Sequence, residues 1–508
     1  MPPPPGLAPH RRTETQELLF GNQPSAADDS PPTESRAFFI ARLLLVIALF
    51  GAPWAFGAVM TWGWVALGLA ACLILLLWAV GSVQRRVVDF AWSPVYLPVG
   101  LFFLLGIVQY TYGLALDRSE TRQALVLLAV DVALFFVTMQ LFSTASGAAW
   151  HAFGLVVLVL AGSLGLFAIL QFASGEPRIY GQVDTPGNLF FGPYVNPNHF
   201  AGLMEMLVPV AAFCIAERRG RPSLAVLAWL AAGAAVAVAS LLLSGSRGGL
   251  LALAAEAVIA ITVVHGFRAR HLGKRSLAAV VAATILAAVL LFTWVDPGIA
   301  TQKLGLLVKV GGPAWKEWAQ FRKVVASDSL RMLQDHPVTG VGLGNFAVAY
   351  PRYQSFPSDM WIDYAHNDYV QAAAETGLLG ASLMTATVLI FLRLAFAGAQ
   401  GVGPIIQVRN RGFAISKFKP GSGAGIRNPA IRARYPSPGT DLAQGTEDAE
   451  HNPDESLGPE LPPGHWIRLG AALGCCGMLV HSFFDFNLHI PANAAWFAVL
   501  AGIACCVR

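Results

Sequence analysis

The chain has 508 residues, of which 55% are hydrophobic and only 13% charged, with a mean hydropathy of +0.56. A water-soluble enzyme carries about twice that share of charge, so the composition defines an integral membrane protein. Apolar runs of about 20 residues cross a hydrocarbon core of about 30 Å as helices, which excludes a porin-type barrel. All six cysteines (Cys72, Cys214, Cys475, Cys476, Cys505, Cys506) lie in apolar runs, which excludes a secreted disulfide scaffold.

Residues 1–36 are proline-rich and polar and read as a disordered cytoplasmic tail rather than a signal peptide. Twelve spans are then expected, at 37–57, 59–81, 93–115, 124–142, 149–172, 199–216, 223–243, 249–266, 276–294, 377–398, 466–486 and 491–507. The short loops with Arg85 and Arg86, with Arg218, Arg219 and Arg221, and with Arg268, Arg270, Lys274 and Arg275 fall on one side. By the positive-inside rule that side is cytoplasmic, and both termini lie there. The expected class is an all-α polytopic membrane protein: helices 1–9 over 37–294, a large outer loop over 295–376 and helix 10 over 377–398. A flexible cytoplasmic insertion follows over 399–465, then helices 11–12 over 466–508.

The two hydrophilic segments differ. Residues 399–465 are rich in Gly, Pro and Arg and then acidic, with little to build a core. In 295–376, Trp315, Trp318, Phe321, Val325, Leu330 and Leu333 recur near helical spacing. They predict an amphipathic helix that lies along the membrane surface or packs on its own loop, followed by a turn at Val338–Asn345.

A charge near the bilayer centre costs about 2.5–3.5 kcal/mol on insertion scales, so polar groups in or beside spans are where function is sought. The outer face supplies Asn196 and Asn198 before the sixth span, Ser246 and Arg247 in a short hairpin, and His481 and Asp485 near the eleventh. The long loop adds Arg331, Tyr364, His366, Asn367 and Glu375. Arg247 lies beside three glycines in a tight turn, which suits an anion gripped by a guanidinium and helix N–H groups; an arginine snorkelling to headgroups has the same pattern. His366 brings an imidazole, the side chain suited to proton chemistry at neutral pH, with Asn367 and Asp368 beside it to fix a tautomer; a loop histidine with no role looks the same. Gly340, Gly342 and Gly344 form a turn and no dinucleotide fingerprint. No HExxH or paired-cysteine pattern occurs, so no metal is expected. Asp131, Glu205 and Glu256 lie within spans and read as helix-contact residues, because no second partner is spaced along the same face.

Outside a cytoplasmic membrane no nucleotide-sugar pool exists, so a bond-forming enzyme there takes a donor that arrives activated. A lipid-linked diphosphate is the obvious kind, and arginines stabilise its developing charge while a base takes the acceptor's proton.

The ordered set SGSRGG, Arg331 upstream of HPVTGVGLGNF, HNDYVQAAAETGLLG and HSFFDFNLHIP, with NPNHFAG before them, resembles the O-antigen ligase and polymerase superfamily of bacterial membrane glycosyltransferases over about residues 185–505. The resemblance implies a twelve-helix transferase of the GT-C type in the bacterial inner membrane. It takes an undecaprenyl-diphosphate-linked glycan and transfers it, with inversion and without metal or cofactor, to a hydroxyl at the periplasmic face. Arg247, with Ser246, and Arg331 map to the donor diphosphate site and His366, ahead of Gly377, to the residue that readies the acceptor. Asn196, Asn198, Tyr364, Asn367, Glu375, His481 and Asp485 are expected to support substrate positioning.

The expected acceptor is lipid A-core or a similar hydroxyl; a polymerase or a protein O-oligosaccharyltransferase uses the same set. Membrane lipid is a partner and nucleic acid is not. The insertion at 399–465 is longer than the usual connection in this superfamily. A transporter is the rival class, but transporters show repeated halves with ionisable groups near the midplane, and here the halves differ.

Overall fold

The computed structural model describes residues 35–85, 89–185, 190–215, 217, 223–266, 313–358, 361–399, 407–409 and 462–506. Helices α1 (Arg36–Trp54), α2 (Thr61–Gln84), α3 (Tyr96–Tyr112), α4 (Arg118–Ser143), α5 (Gly147–Ser174), α6 (Pro197–Cys214), α7 (Leu224–Ser244) and α8 (Arg247–Gly266) come first. After them stand α9 (Pro313–Asp335), the short α10 (Phe346–Ala349), α11 (Asp368–Ala399), α12 (His465–His481) and α13 (Pro491–Cys505). Helices thus stand where eleven of the twelve expected spans lie; the span at 276–294 and the tail at 1–34 are outside the described residues. Among the described residues six helices are long and apolar enough to cross a membrane, and α3 and α13 are shorter apolar helices. The chain is a polytopic helical membrane protein.

The helix starts follow local chemistry. Asp117, Ser146 and Ser223 each accept a backbone N–H of the first turn of α4, α5 and α7, and Asn196 does the same for α6, with Pro197 at the first helical position. Helices α6, α12 and α13 form the centre and are buried nearly all round. Helix α12 packs on α6, α8 and α13. Its Gly470 and Gly474 let it ride on the α6 backbone, where an added Cβ would meet Val210 Cα at 2.8 Å and Met206 O at 2.4 Å. Small residues one turn apart are how membrane helices approach this closely.

Two boundaries differ from expectation, and both matter for the site. Helix α12 ends at His481, several residues before the expected 486, because Ser482–Ile490 turns away in a short 3₁₀ segment; Asp485 is therefore in a loop. The tenth span was expected to open at 377, but α11 begins at Asp368 and is broken at Gly377, whose φ of 66° and ψ of −169° interrupt the helix. The N–H groups of Leu378 and Leu379 donate there to Pro337 O and Val338 O. This conformation belongs almost solely to glycine, and a Cβ would sit 2.3 Å from Val338 O. Gly377→Ala is expected to destabilise the fold by about 1–3 kcal/mol, measured as a lower unfolding midpoint of the detergent-solubilised protein.

The segment after α9 is a folded unit. Val325, Met332, Val341, Phe346, Tyr350, Ala365 and Ala374 make a small apolar core of their own, so of the two readings of the amphipathic helix, packing on its own loop holds for Val325 and Met332. The Val338–Asn345 turn is fastened from three sides. Gln109 of α3 donates to Thr339 O and Glu375 O and accepts from Leu343 N–H. Asn345 accepts from Asp117 N–H and donates to Thr121, and Glu375 accepts from Gly344 and Phe346 N–H.

Two short strands depart from the all-α expectation. Gln407–Arg409, within the insertion, pairs antiparallel with Asp89–Ala91 between α2 and α3, and the side chain of Gln140 binds both the N–H and the C=O of Ala91. The rest of the insertion at 410–461 lies outside the described residues.

Candidate functional site

At one end of the bundle the loop after α12 meets the starts of α6 and α11 and the side of α9, and Asp485 is the point they share. Its carboxylate is 1% exposed. Oδ2 accepts from Asn198 Nδ2 at 2.6 Å and from Arg322 at 3.3 Å. Oδ1 accepts from Phe486 N–H at 2.9 Å, faces His366 Nδ1 at 3.4 Å and lies 4.0 Å from His199 Nε2. Burial by itself would raise the Asp485 carboxyl. The hydrogen bond from His366 and the Arg322 charge outweigh it and hold the group well below the usual carboxylate range. Burial pulls Arg322 below its ordinary value while Asp485 opposes this, and a guanidinium stays charged throughout.

An ionised Asp485 fixes the histidine. The carboxylate accepts only, so Nδ1 is the nitrogen of His366 that donates to it, and Nε2 is the one left for a substrate. The side chain is about a quarter exposed, at 26%, so the ring has access to a substrate. Its backbone has φ of 51°, an uncommon conformation for a non-glycine residue and one that clusters at functional sites. Phe486 sets the ring's position from one side and Phe321 from another, with centroids at 5.1 and 5.7 Å. Phe486 also meets His199 at 4.6 Å and stacks on Tyr364 at 4.1 Å.

The Ser244–Gly249 turn reaches the same cluster from below. Ser246 accepts Gly249 N–H and so starts α8, with Arg247 as its first residue. Gly248 lies so close to His481 that a Cβ would be 2.4 Å from Nε2, and Asp485 N–H donates to His481 O. The turn that carries Arg247 thus packs on His481, at the base of the loop whose Asp485 meets Arg322 and His366, although these positions span more than 230 residues of sequence.

The other expected residues have these places. Asn196 caps α6 and Asn198 holds Asp485. Asn367 accepts Tyr369 and Val370 N–H at the start of α11 and donates to Phe483 O, pinning the loop that carries Asp485. Glu375 is buried and serves the turn. It also accepts from Gln371, which donates to His489 Nε2, while His489 Nδ1 donates to Asp368 at 2.9 Å. Arg331 lies nine residues beyond Arg322 on α9, about two and a half turns and so on the opposite face. Its guanidinium binds Asp328 at 2.5 Å and Tyr353 O at 2.6 Å, and Asp328 also accepts from Tyr350 and Ser355.

Sequence reasoning missed Arg322, Phe486, His199 and His489 as site residues. Arg322 and Lys323 are adjacent cations on one amphipathic helix, and nothing in their spacing marks the first as the one that turns inward. The histidines were in view, within NPNHFAG and HSFFDFNLHIP, but only the loop geometry separates them from ordinary helix-end residues.

The class that fold and site define is a polytopic helical membrane protein with an imidazole, a buried carboxylate and a guanidinium gathered at one end of the bundle. Residues 230–385 match the family model described as O-antigen ligase. This stretch carries most of α7, the Arg247 turn, α9 with Arg322 and Arg331, and His366, and over it the chain is similar to that family. No curated protein gives a match.

Proposed function

We propose that the protein transfers a glycan from an undecaprenyl-diphosphate carrier to a hydroxyl acceptor, lipid A-core or a similar glycolipid, at the periplasmic face of the bacterial inner membrane. What supports this most is the convergence of His366 and Arg322 on Asp485 beside the turn of Arg247. In this reading Arg247 and Arg322 hold the donor diphosphate, and Arg322 takes the part that the resemblance implies for Arg331. His366 Nε2 removes the acceptor's proton as its oxygen attacks the anomeric carbon. The bond from that carbon to the phosphate oxygen breaks on the opposite side, its electron pair leaves with the diphosphate, and the configuration inverts. Two guanidiniums aimed at the departing charge do what a divalent cation does elsewhere.

The test is reconstitution of the purified protein with the lipid-linked glycan, chelator and one of three acceptors: lipid A-core, a second lipid-linked glycan, or a protein with accessible Ser or Thr. Product with lipid A-core is expected. Product only with the second or third acceptor makes the protein a polymerase or a protein transferase, loss of product with chelator refutes the metal-free step, and no product with any acceptor refutes the transferase reading.

A further inference from the structure

Beneath the Arg247 turn lies a second set of ionisable groups that the transfer chemistry leaves unused. Glu205 of α6 is fully buried, and its two carboxylate oxygens lie 3.1 and 2.9 Å from His481 Nδ1. The other edge of that imidazole is the surface on which Gly248 rests, and the Cβ position of Gly249 is 3.5 Å from Glu205 Oε2. Glu256 is nine residues along α8 from Arg247, about 14 Å deeper in the helix direction. It is 3% exposed, and neither of its oxygens has a hydrogen-bond partner among the described residues. Its Oε1 fills the space beside Gly477, where a Cβ would be 1.8 Å away, one turn before His481 on α12. The sequence reading took Glu205 and Glu256 for separate helix contacts. The fold instead brings them to one place with His481, from three helices distant in sequence.

We propose that Glu205, Glu256 and His481 form a proton-binding site within the membrane that takes up a proton when a diphosphate docks at the Arg247 turn. An unpaired carboxylate away from water is costly and a proton removes that cost. Glu205 and His481 are in contact and Glu256 stands one turn away along α12 against Gly477; ionisable groups this near to one another share their protons as one unit. The groups around this unit are Cys475 and Cys476 on α12, His199 on α6, Asp485 in the following loop and Arg322 on α9, with the turn that carries Arg247 resting on His481 through Gly248. A diphosphate adds negative charge directly above His481, which favours one more bound proton. By linkage the proton then tightens the diphosphate by the same factor. The proton comes from solution as the anion docks and returns as it leaves, and no covalent bond changes.

The inference rests on the diphosphate-binding part of the proposed function and not on transfer, so the test uses inorganic pyrophosphate and the full-length protein in lipid nanodiscs. Binding enthalpy is measured at neutral pH in two buffers of different ionisation heat. The expected result is net uptake of up to one proton per bound pyrophosphate, kept in His366→Asn and lost in Glu205→Gln. The infrared difference spectrum on adding pyrophosphate is expected to show a carboxylic-acid carbonyl band that Glu256→Gln removes, a readout that serves even if Glu205→Gln fails to fold. A buffer-independent enthalpy, absence of pyrophosphate binding, uptake that disappears only with His366→Asn, or a carbonyl band untouched by Glu256→Gln would each overturn the proposal. Protein that takes up the proton but transfers no glycan keeps this inference and loses the function proposed above.

Discussion

Asp485→Asn is expected to lower turnover in the proposed transfer by about 10²–10⁴-fold, the range in which a positioned base and its orienting carboxylate contribute. The substitution conserves shape and removes charge. An amide no longer obliges His366 to carry its proton on Nδ1, so the lone pair at Nε2 is lost in part of the population. The imidazolium that forms during transfer also loses its counter-charge at 3.4 Å. Because Asp485 and His366 act as one unit, Asp485→Asn combined with His366→Asn is expected to be no slower than His366→Asn alone. Steady-state turnover of the reconstituted protein checks both, and a loss under tenfold for Asp485→Asn would remove the carboxylate from the mechanism. The pH dependence has a definite sign. Asp485 is held below the ordinary carboxylate value in the folded protein. Its contribution to stability is therefore complete above the unfolded value of about 3.9 and is lost as pH falls toward the folded one. The cluster thus stays closed at every pH from mildly acidic upward, and acid unfolding of Asp485→Asn is expected to begin at no lower pH than that of the unmodified protein.

What the sequence made legible follows from how each signal is encoded. Spans show because an apolar stretch of sufficient length has few other places to be, and α9 shows because its apolar residues recur at helical spacing. His366, Asp485, Asn198 and the Arg247 turn stood out because polar residues at span ends are rare in so apolar a chain. Contacts across the bundle are another matter. The Arg322–Asp485 pair joins residues 163 apart, and the Glu205–His481 pair residues 276 apart. A helical face has no spacing rule that reports a partner on another helix. The end of α12 was hidden for a related reason: Phe483, Phe484 and Phe486 prolong the apolar run past His481, although the backbone there has already turned. The break at Gly377 lay inside a helical pattern, and its cause, the carbonyl of Val338, comes from a turn some forty residues earlier.

Arg322 and Arg331 are expected to separate under mutation, and the contrast tests which of them serves the proposed donor. Arg322→Ala is expected to lower kcat/KM for the lipid-linked donor about 10²–10³-fold, as loss of one donor aimed at developing charge does. Arg322→Lys restores only part of it, because an ammonium cannot reach carboxylate and phosphate with a planar fork. Arg322 is mostly buried, with 14% of its side chain exposed. Its removal also leaves Asp485 with one fewer partner, which strengthens that carboxylate's hold on His366, so part of the effect falls on kcat. Arg331 is half exposed and paired with Asp328, an arrangement of small energetic value in water. Asp328 keeps Tyr350 and Ser355 when Arg331 is gone. Arg331→Ala is therefore expected to change kcat/KM less than tenfold while loosening the segment around Tyr353, read as faster hydrogen exchange there. Donor titrations at saturating acceptor measure the contrast. The reverse order, with Arg331 the costlier loss, would mean that α9 turns its opposite face to the diphosphate when the donor is bound, and that the Arg322–Asp485 contact belongs to the resting protein alone.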